Sequence, residues 1–174
     1  MRKLIISIIS SVLLVGSFCS CSNTKDVKVQ TDTASEGEAI NLYFADSEFQ
    51  YVVAEKRIIK NLTPQKAVQA LIDGPKNKDL VNALPKEVEV SNVSIENGIA
   101  HVYMHESIPI SEHGNYGSSA ITSHIINSIC GTLILHEPFG IKKVKLEGDI
   151  GDILYGVILD EPMEVNLQMF KLDK

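Results

Sequence analysis

Residues 63–75 constrain the fold most. Thr63 is a side chain that caps helix N-termini, and Pro64 follows at the first helical position, where its missing N–H costs nothing. Ala67, Val68, Leu71 and Ile72 then recur at helical spacing, and Gly74-Pro75 stops the run. A short amphipathic helix over Pro64–Asp73 follows, and one apolar stripe must lie on something else. What flanks it reads as strand. "AINLYFAD" (39–46) and "YVVAEKRII" (51–59) are rich in β-branched and aromatic residues. Glu55, Lys56 and Arg57 inside the second run place part of it at an exposed edge.

After the helix, "KDLVNALP" (78–85) is expected to add one further helical turn. "VEVSNVSIENGIAHVYM" (88–104) reads as a hairpin, because Asn97-Gly98 suits a tight turn with two positive φ angles. Val88, Val90, Ser94 and Ile95 alternate imperfectly before that turn. Residues 105–117, "HESIPISEHGNYG", are a loop, long for a compact domain. Ser118 or Ser119 can then cap a second helix. Ile121, Ile125, Ser128, Ile129, Thr132 and Leu133 mark its face, Gly131 lowers its intrinsic stability by about 1 kcal/mol relative to alanine, and Pro138 lies beyond its end. "IKKVKLEG" and "LYGVILDEPM" close the chain as strands. The order β-β-α-β-β-α-β-β predicts an α+β fold with two helices packed on one face of a mainly antiparallel or mixed sheet.

The N-terminus is a different kind of segment. Arg2 and Lys3 precede an uncharged run, Leu4–Val15, too short to span a bilayer, where about 20 apolar residues are needed. A charged tip, a short apolar core and small residues form a secretory signal. Its end resembles a bacterial lipoprotein signal: Cys21 follows the small Ser20, with apolar Phe18 three positions before, whereas Cys19 follows the bulky Phe18. The resemblance implies cleavage before Cys21 and a lipid on its sulfur. A Cys-x-Cys metal or redox pair lacks the second Cys/His pair that zinc spacings use. The expected organisation is therefore a signal peptide over 1–20, a lipidated N-terminus and tether over 21–38, and one domain over 39–174. The tether is polar and lacks aromatics, and its 17 residues from Ser22 to Glu38 span roughly 20–25 Å root-mean-square. The expected location is the extracytoplasmic face of the cell membrane, held by lipid.

Charge narrows the partners. Residues 1–20 carry two of the 16 basic residues, Arg2 and Lys3, and none of the 22 acids, so the remainder has net charge −8. A nucleic-acid binder needs a basic stripe, and anionic lipid headgroups need juxtamembrane lysine clusters. Neither is present in the sequence.

The landmarks taken together resemble the GerMN domain family of sporulation and germination lipoproteins. They are "INLYFAD", "TPQKAVQALIDGP", "LPKEVEVSNVSIENGIAHVYM", "SSAITSHIINSICGTL", "VKLEG" and "YGVILDEPM", over about residues 39–165. The resemblance implies a cell-envelope lipoprotein whose domain is similar to the ring-building motifs of secretion systems, with envelope proteins as partners. These motifs are structural punctuation rather than catalytic signatures.

The chemistry-bearing residues are sparse. His101 and His105 lie four apart on a strand, roughly 13 Å along it, too far to share a metal unless the strand ends between them. The 105–119 loop gathers Glu106, Glu112, His113 and four serines (107, 111, 118, 119), the residue types of nucleophilic catalysis, but no G-x-S-x-G elbow. Its Glu106, Glu112, His113, Asn115 and Tyr116 suit contact with a partner or ligand better than catalysis. Cys130, beside Ile129, reads as core, and His136 near a helix end suits the helix dipole. Two glycosylation sequons, at Asn61 and Asn92, carry no weight in a bacterial lipoprotein. No phosphate loop or dinucleotide glycine pattern occurs, and no cofactor or metal is expected. The leading expectation is a non-enzymatic interaction module, ahead of a peptidoglycan or other envelope-ligand binder, with a hydrolase last.

Overall fold

The structure, a computed structural model, describes residues 37–106, 118–149, 154 and 161–171. Cys21, the signal segment and the tether up to residue 36, residues 107–117 of the long loop, and most of "LYGVILDEPM" lie outside them, whereas Glu38, expected at the end of the tether, pairs with Ile59 as the first residue of a strand.

Eight elements are present among the described residues. They are β1 (Glu38–Asp46), β2 (Val52–Ile59), α1 (Pro64–Ile72), β3 (Leu80–Val81), β4 (Val88–Glu96), β5 (Ile99–Glu106), α2 (Ser119–Ile134) and β6 (Lys143–Asp149), with short 3₁₀ turns at Glu137–Phe139 and Leu167–Met169. The strands form two three-stranded sheets, ordered β2-β1-β3 and β4-β5-β6. All pairings are antiparallel except β5 with β6, which is parallel. Parallel neighbours need a crossover of a dozen or more residues, and α2 supplies it. The fold is thus α+β, with a mixed strand set and two helices.

The helices form where the local signals place them. Thr63 Oγ1 accepts from Lys66 N at 3.2 Å, with Pro64 at the first helical position. Ala67, Val68, Leu71 and Ile72 are the buried stripe of α1. Ser118 caps α2, its Oγ accepting from Ile121 N at 3.3 Å. α2 is buried more widely than one face: Thr122, His124 and Asn127 are enclosed along with the aliphatic row. A helix buried nearly all round is an internal one, and here α1, β1, β6 and the chain's last described segment all pack on it.

The 78–85 expectation is corrected. Leu80–Val81 is a strand, paired with Asp46 and Ala45 of β1, not a helical turn. The Asn77 side chain bonds Asp79 N and the Asn82 side chain bonds Leu84 N, so both asparagines satisfy local amides in a non-helical conformation. The strand partner lies more than thirty residues upstream, which local periodicity cannot register.

The hairpin explains its own broken alternation. Val90 pairs with Met104 and Asn92 with Tyr103, so Ser91 is an extra residue, and its hydroxyl donates to Tyr103 O at 3.1 Å. Beyond a bulge the side-chain phase inverts: Val88 and Val90 face the core before it, Val93 and Ile95 share the face of Val102 and Ala100 after it. Asn97 and Gly98 have φ of 52° and 79°, as the turn requires. β5 runs on to Glu106, so His105 and the Glu106 backbone belong to a strand, not to the loop.

One hydrophobic core joins the layers: Leu42 and Phe44 of β1, Leu71 of α1, Val102 of β5, Ile129 and Leu133 of α2, and Leu146 of β6. Each such side chain contributes about 1.5–3 kcal/mol when fully buried. Cys130 is part of this core and fully buried.

Residues 161–171 act as a strap. Met163 and Val144 exchange both backbone hydrogen bonds, at 2.7 and 2.9 Å, on β6. Further along, Lys171 N donates to Val52 O at 3.0 Å on β2. Asn127 of α2 holds the middle, accepting from Asn166 N at 2.9 Å and donating to Met169 Sδ at 3.1 Å. Phe170 is seated edge-on to Tyr43, ring centres 5.1 Å apart, over Gly131.

Candidate functional site

Two surfaces gather exposed groups. The first is the outer side of β2. Alternation along the β1–β2 ladder fixes which backbone groups point outward. Asp46 N bonds Tyr51 O between the strands, so the next pair, Ala45 and Val52, points away from the ladder. Two independent bonds agree: Val52 O accepts from Lys171 outside the sheet, and Tyr43 N donates outward to Thr132 Oγ1 at 3.2 Å. By the same parity Ala54, Lys56 and Ile58 present their N–H and C=O groups outward. All three side chains are exposed, Ile58 by 63 %.

Glu55 and Arg57, on the opposite face, are not free charges. Glu55 accepts from Lys76 N and Asn77 N at 2.9 and 2.8 Å and is ion-paired with Arg57, whose Nη2 donates to Gly74 O at 2.9 Å. Burial pushes the Glu55 carboxyl up, but the hydrogen bonds from Asn77, Arg57 and Lys76 and the Arg57 charge outweigh it and hold it below its ordinary value. The charged triplet is therefore split: two members anchor the α1–β3 loop and Lys56 alone faces out.

Beside Lys56 lies a bay of about 270 Å³, lined also by Asn41, Tyr43, Leu135 and His136. Burial pushes the Tyr43 hydroxyl up in pKa, against a hydrogen bond from Asn41. His136 Nε2 lies 3.3 Å from Glu38 Oε1, close enough for an ion pair but without hydrogen-bond geometry, and its ring packs on Phe139. The histidine thus contacts the start of β1 as well as lying beyond the helix end. The bay is just below the ~300 Å³ at which drug-sized ligand pockets begin.

The second surface is the outer face of the β4-β5-β6 sheet. His101 Nδ1 is 2.8 Å from Glu147 Oε1, and Lys145 Nζ is 3.5 Å from the same oxygen. The hydrogen bonds from His101 and then Tyr103 hold Glu147 below its usual value, and the bond to Glu147 raises Tyr103. His105 faces a different carboxylate, Glu89, at 3.4 Å. The two histidines do not converge, and no group of three or more metal-ligating side chains occurs among the described residues.

Of the loop residues singled out from sequence, Glu112, His113, Asn115 and Tyr116 lie outside the described residues, and Glu106 is placed by its backbone alone, opposite Val88. Ser118 is occupied as a helix cap, and the Ser119 carbonyl accepts from Ser123 Oγ at 2.8 Å. Sequence reasoning missed the bay, whose walls come from β1, β2 and the end of α2. It also missed the division of labour in Glu55-Lys56-Arg57, although period-2 alternation alone separates Lys56 from its neighbours.

A family model described as sporulation and spore germination, Germane, matches residues 41–149. The chain belongs to the Germane family. Two solved structures share the fold of this GerMN-type domain. The tandem GerMN domains of the sporulation protein GerM from Bacillus subtilis match with 21 % identity and a TM-score of 0.58, over 83 % of this chain and 51 % of that one. The first GerMN domain of the same protein matches with 21 % identity and a TM-score of 0.57, over 73 % of this chain and 97 % of that one. The chain thus spans about half of the tandem structure. Comparison with the curated proteins finds no significant match. Among the described residues no helix is long and apolar enough to cross a membrane.

Proposed function

We propose that this Germane-family chain is a non-enzymatic lipoprotein of the cell envelope. A lipid on Cys21 anchors it to the extracytoplasmic face of the membrane, and the domain binds other envelope proteins in sporulation or germination. The observation that carries the reading is the outward edge of β2, with exposed Ile58 and unpaired backbone groups at three positions among the described residues. Exposed sheet edges are templates for another chain unless they are guarded. The loop carrying Glu106, Glu112, His113, Asn115 and Tyr116 supplies further contacts. The family's description supplies the process.

Crosslinking of the native protein in its membrane, with Cys21→Ala as control, tests this. Specific envelope proteins captured by the wild type and lost with the anchor support it. Capture of glycan alone, or of nothing, refutes it. The bay beside Lys56, with Asn41, Tyr43 and His136 converging, supports a second reading as a small-ligand site. Glycan capture abolished by Tyr43→Phe would favour that one.

A further inference from the structure

We infer that the outer edge of β2 takes up an extended strand of a partner protein, one with an acidic side chain opposite Lys56 and apolar side chains opposite Ala54 and Ile58. The inference rests on the interaction reading above and names the chemistry of the partner.

The edge is already used once. At Val52 it accepts a hydrogen bond from the strap, which runs parallel to it through Phe170 and Lys171. The strap fills the first outward slot, and Ala54, Lys56 and Ile58 continue the same row of donors and acceptors. Strand addition at such an edge draws its affinity from backbone bonds and its selectivity from alternate side chains. The alternate side chains here are small, cationic and large apolar. Ala54 leaves room for a bulky neighbour, Ile58 offers 63 % of its surface, and Lys56 has no ion pair among the described residues. Glu55 and Arg57 satisfy each other and the Gly74–Asn77 loop, so the other face of an added strand meets no unpaired charge.

A second copy of the chain fits less well. Antiparallel pairing of β2 with itself about a two-fold axis sets a residue against its own copy. In the register centred on Lys56 the lysine meets its own copy, and like charges directly opposite are unfavourable; centred on Glu55 or Arg57, Lys56 meets Ala54 or Ile58 and gains no counter-charge. The same lysine that discourages self-pairing favours an acid, so the occupant is a different protein.

The test uses the full-length protein in detergent micelles and, as probes, short capped peptides of alternating valine and threonine carrying either glutamate or lysine at the centre. Fluorescence anisotropy should show the glutamate peptide binding tighter, by roughly 1.4- to fivefold, the range of one cross-strand charge pair. Lys56→Glu should reverse the preference. Ala54→Pro removes an N–H that β1 does not use, a position where edge strands tolerate proline. It should abolish binding of both peptides while circular dichroism stays unchanged. If Ala54→Pro fails to fold, N-methylation of alternate peptide residues removes the same hydrogen bonds from the other side and should abolish binding equally. Equal binding of the two peptides, or binding insensitive to both the proline and the N-methyl groups, overturns the inference. So does a dimer in sedimentation that Lys56→Glu disrupts, since the occupant is then a second copy.

Photocrosslinkers at Ile58 and at Ser94, on the other sheet, separate this from the broader reading. Envelope proteins captured from Ser94 alone overturn strand addition at β2 and leave the interaction module standing. Capture from neither position overturns strand addition, and overturns the interaction module too when crosslinking of the native protein also captures no envelope protein. Capture from Ile58 that Ala54→Pro abolishes and Lys56→Glu weakens supports the inference.

Discussion

Replacing Gly131 by alanine sets two effects against each other on one atom. In an isolated helix, Gly131→Ala should stabilise by about 1 kcal/mol, because glycine gives up the most backbone entropy on folding. In this fold the added Cβ would sit 2.6 Å from Phe170 Cε1, 2.7 Å from its Cζ and 3.2 Å from Tyr43 Cδ2. The Phe170 ring is buried and its segment is held by Asn127 and Val52, so it cannot simply swing aside. Overpacking of that kind costs about 1–3 kcal/mol. The expected net effect is a loss of about 1 kcal/mol, or a fall in Tm of about 2–4 °C for a chain of this size. The decisive comparison is the same substitution made beside Phe170→Ala. There the obstruction is gone, and Gly131→Ala should turn neutral or stabilising by up to about 1 kcal/mol. Urea denaturation followed by far-UV circular dichroism measures all four proteins, since the chain has no tryptophan to report by fluorescence. If Gly131→Ala stabilises the wild type, or costs the same in both backgrounds, then the strap does not press on α2 and the account of its packing is wrong.

Three further outcomes are expected. Glu55 has a depressed pKa in the folded state, so its contribution is complete above the unfolded carboxylate value near 4.3 and is lost as pH falls through the folded one. Melting measured from pH 7 down to pH 3 should therefore fall less steeply for Glu55→Gln than for the wild type, and parallel curves would deny the network a role. Burial pushes the Cys130 thiol up to about 12, so iodoacetamide at pH 8 should leave it unmodified in the folded protein and label it fully in urea. Mass spectrometry of the Cys130 peptide reads this, and rapid labelling without denaturant would contradict the burial. Asn127→Ala leaves Asn166 N without its acceptor, at a cost of about 1–3 kcal/mol. Hydrogen exchange should quicken at residues 163–171 first, and uniform acceleration across the domain would show that the strap is not a separable unit.

The two helices and the hairpin were legible because their signals are local. Thr63-Pro64, Ser118 and Asn97-Gly98 act within four residues of themselves, and each does in the fold what its chemistry predicts. The edge character of β2 was legible from its charged triplet. What the triplet does was not, since Glu55 finds its partners twenty-one and twenty-two residues away. The broken alternation in β4 was visible, but its cause, a bulge at Ser91, needs the register of the neighbouring strand. β3 was misread because a two-residue strand has no periodicity and is defined by its partner alone. Gly131 looked like a flaw in a helix. Its reason is an aromatic ring thirty-nine residues further on, a distance at which sequence pattern is silent.

The strap also sets an order of events during synthesis. Chains leave the ribosome from the N-terminus, so both sheets and both helices are made before Met163 and Phe170 emerge. Those two residues latch β6 and β2, the last strand of one sheet and the outer strand of the other. Until residues up to 171 are available, one side of Tyr43 and the Gly131 turn of α2 have no cover, and the nascent domain stays loose. Final closure thus waits on residues made after every strand and helix of the two sheets, and residues 37–149 alone form a softer body than the finished domain.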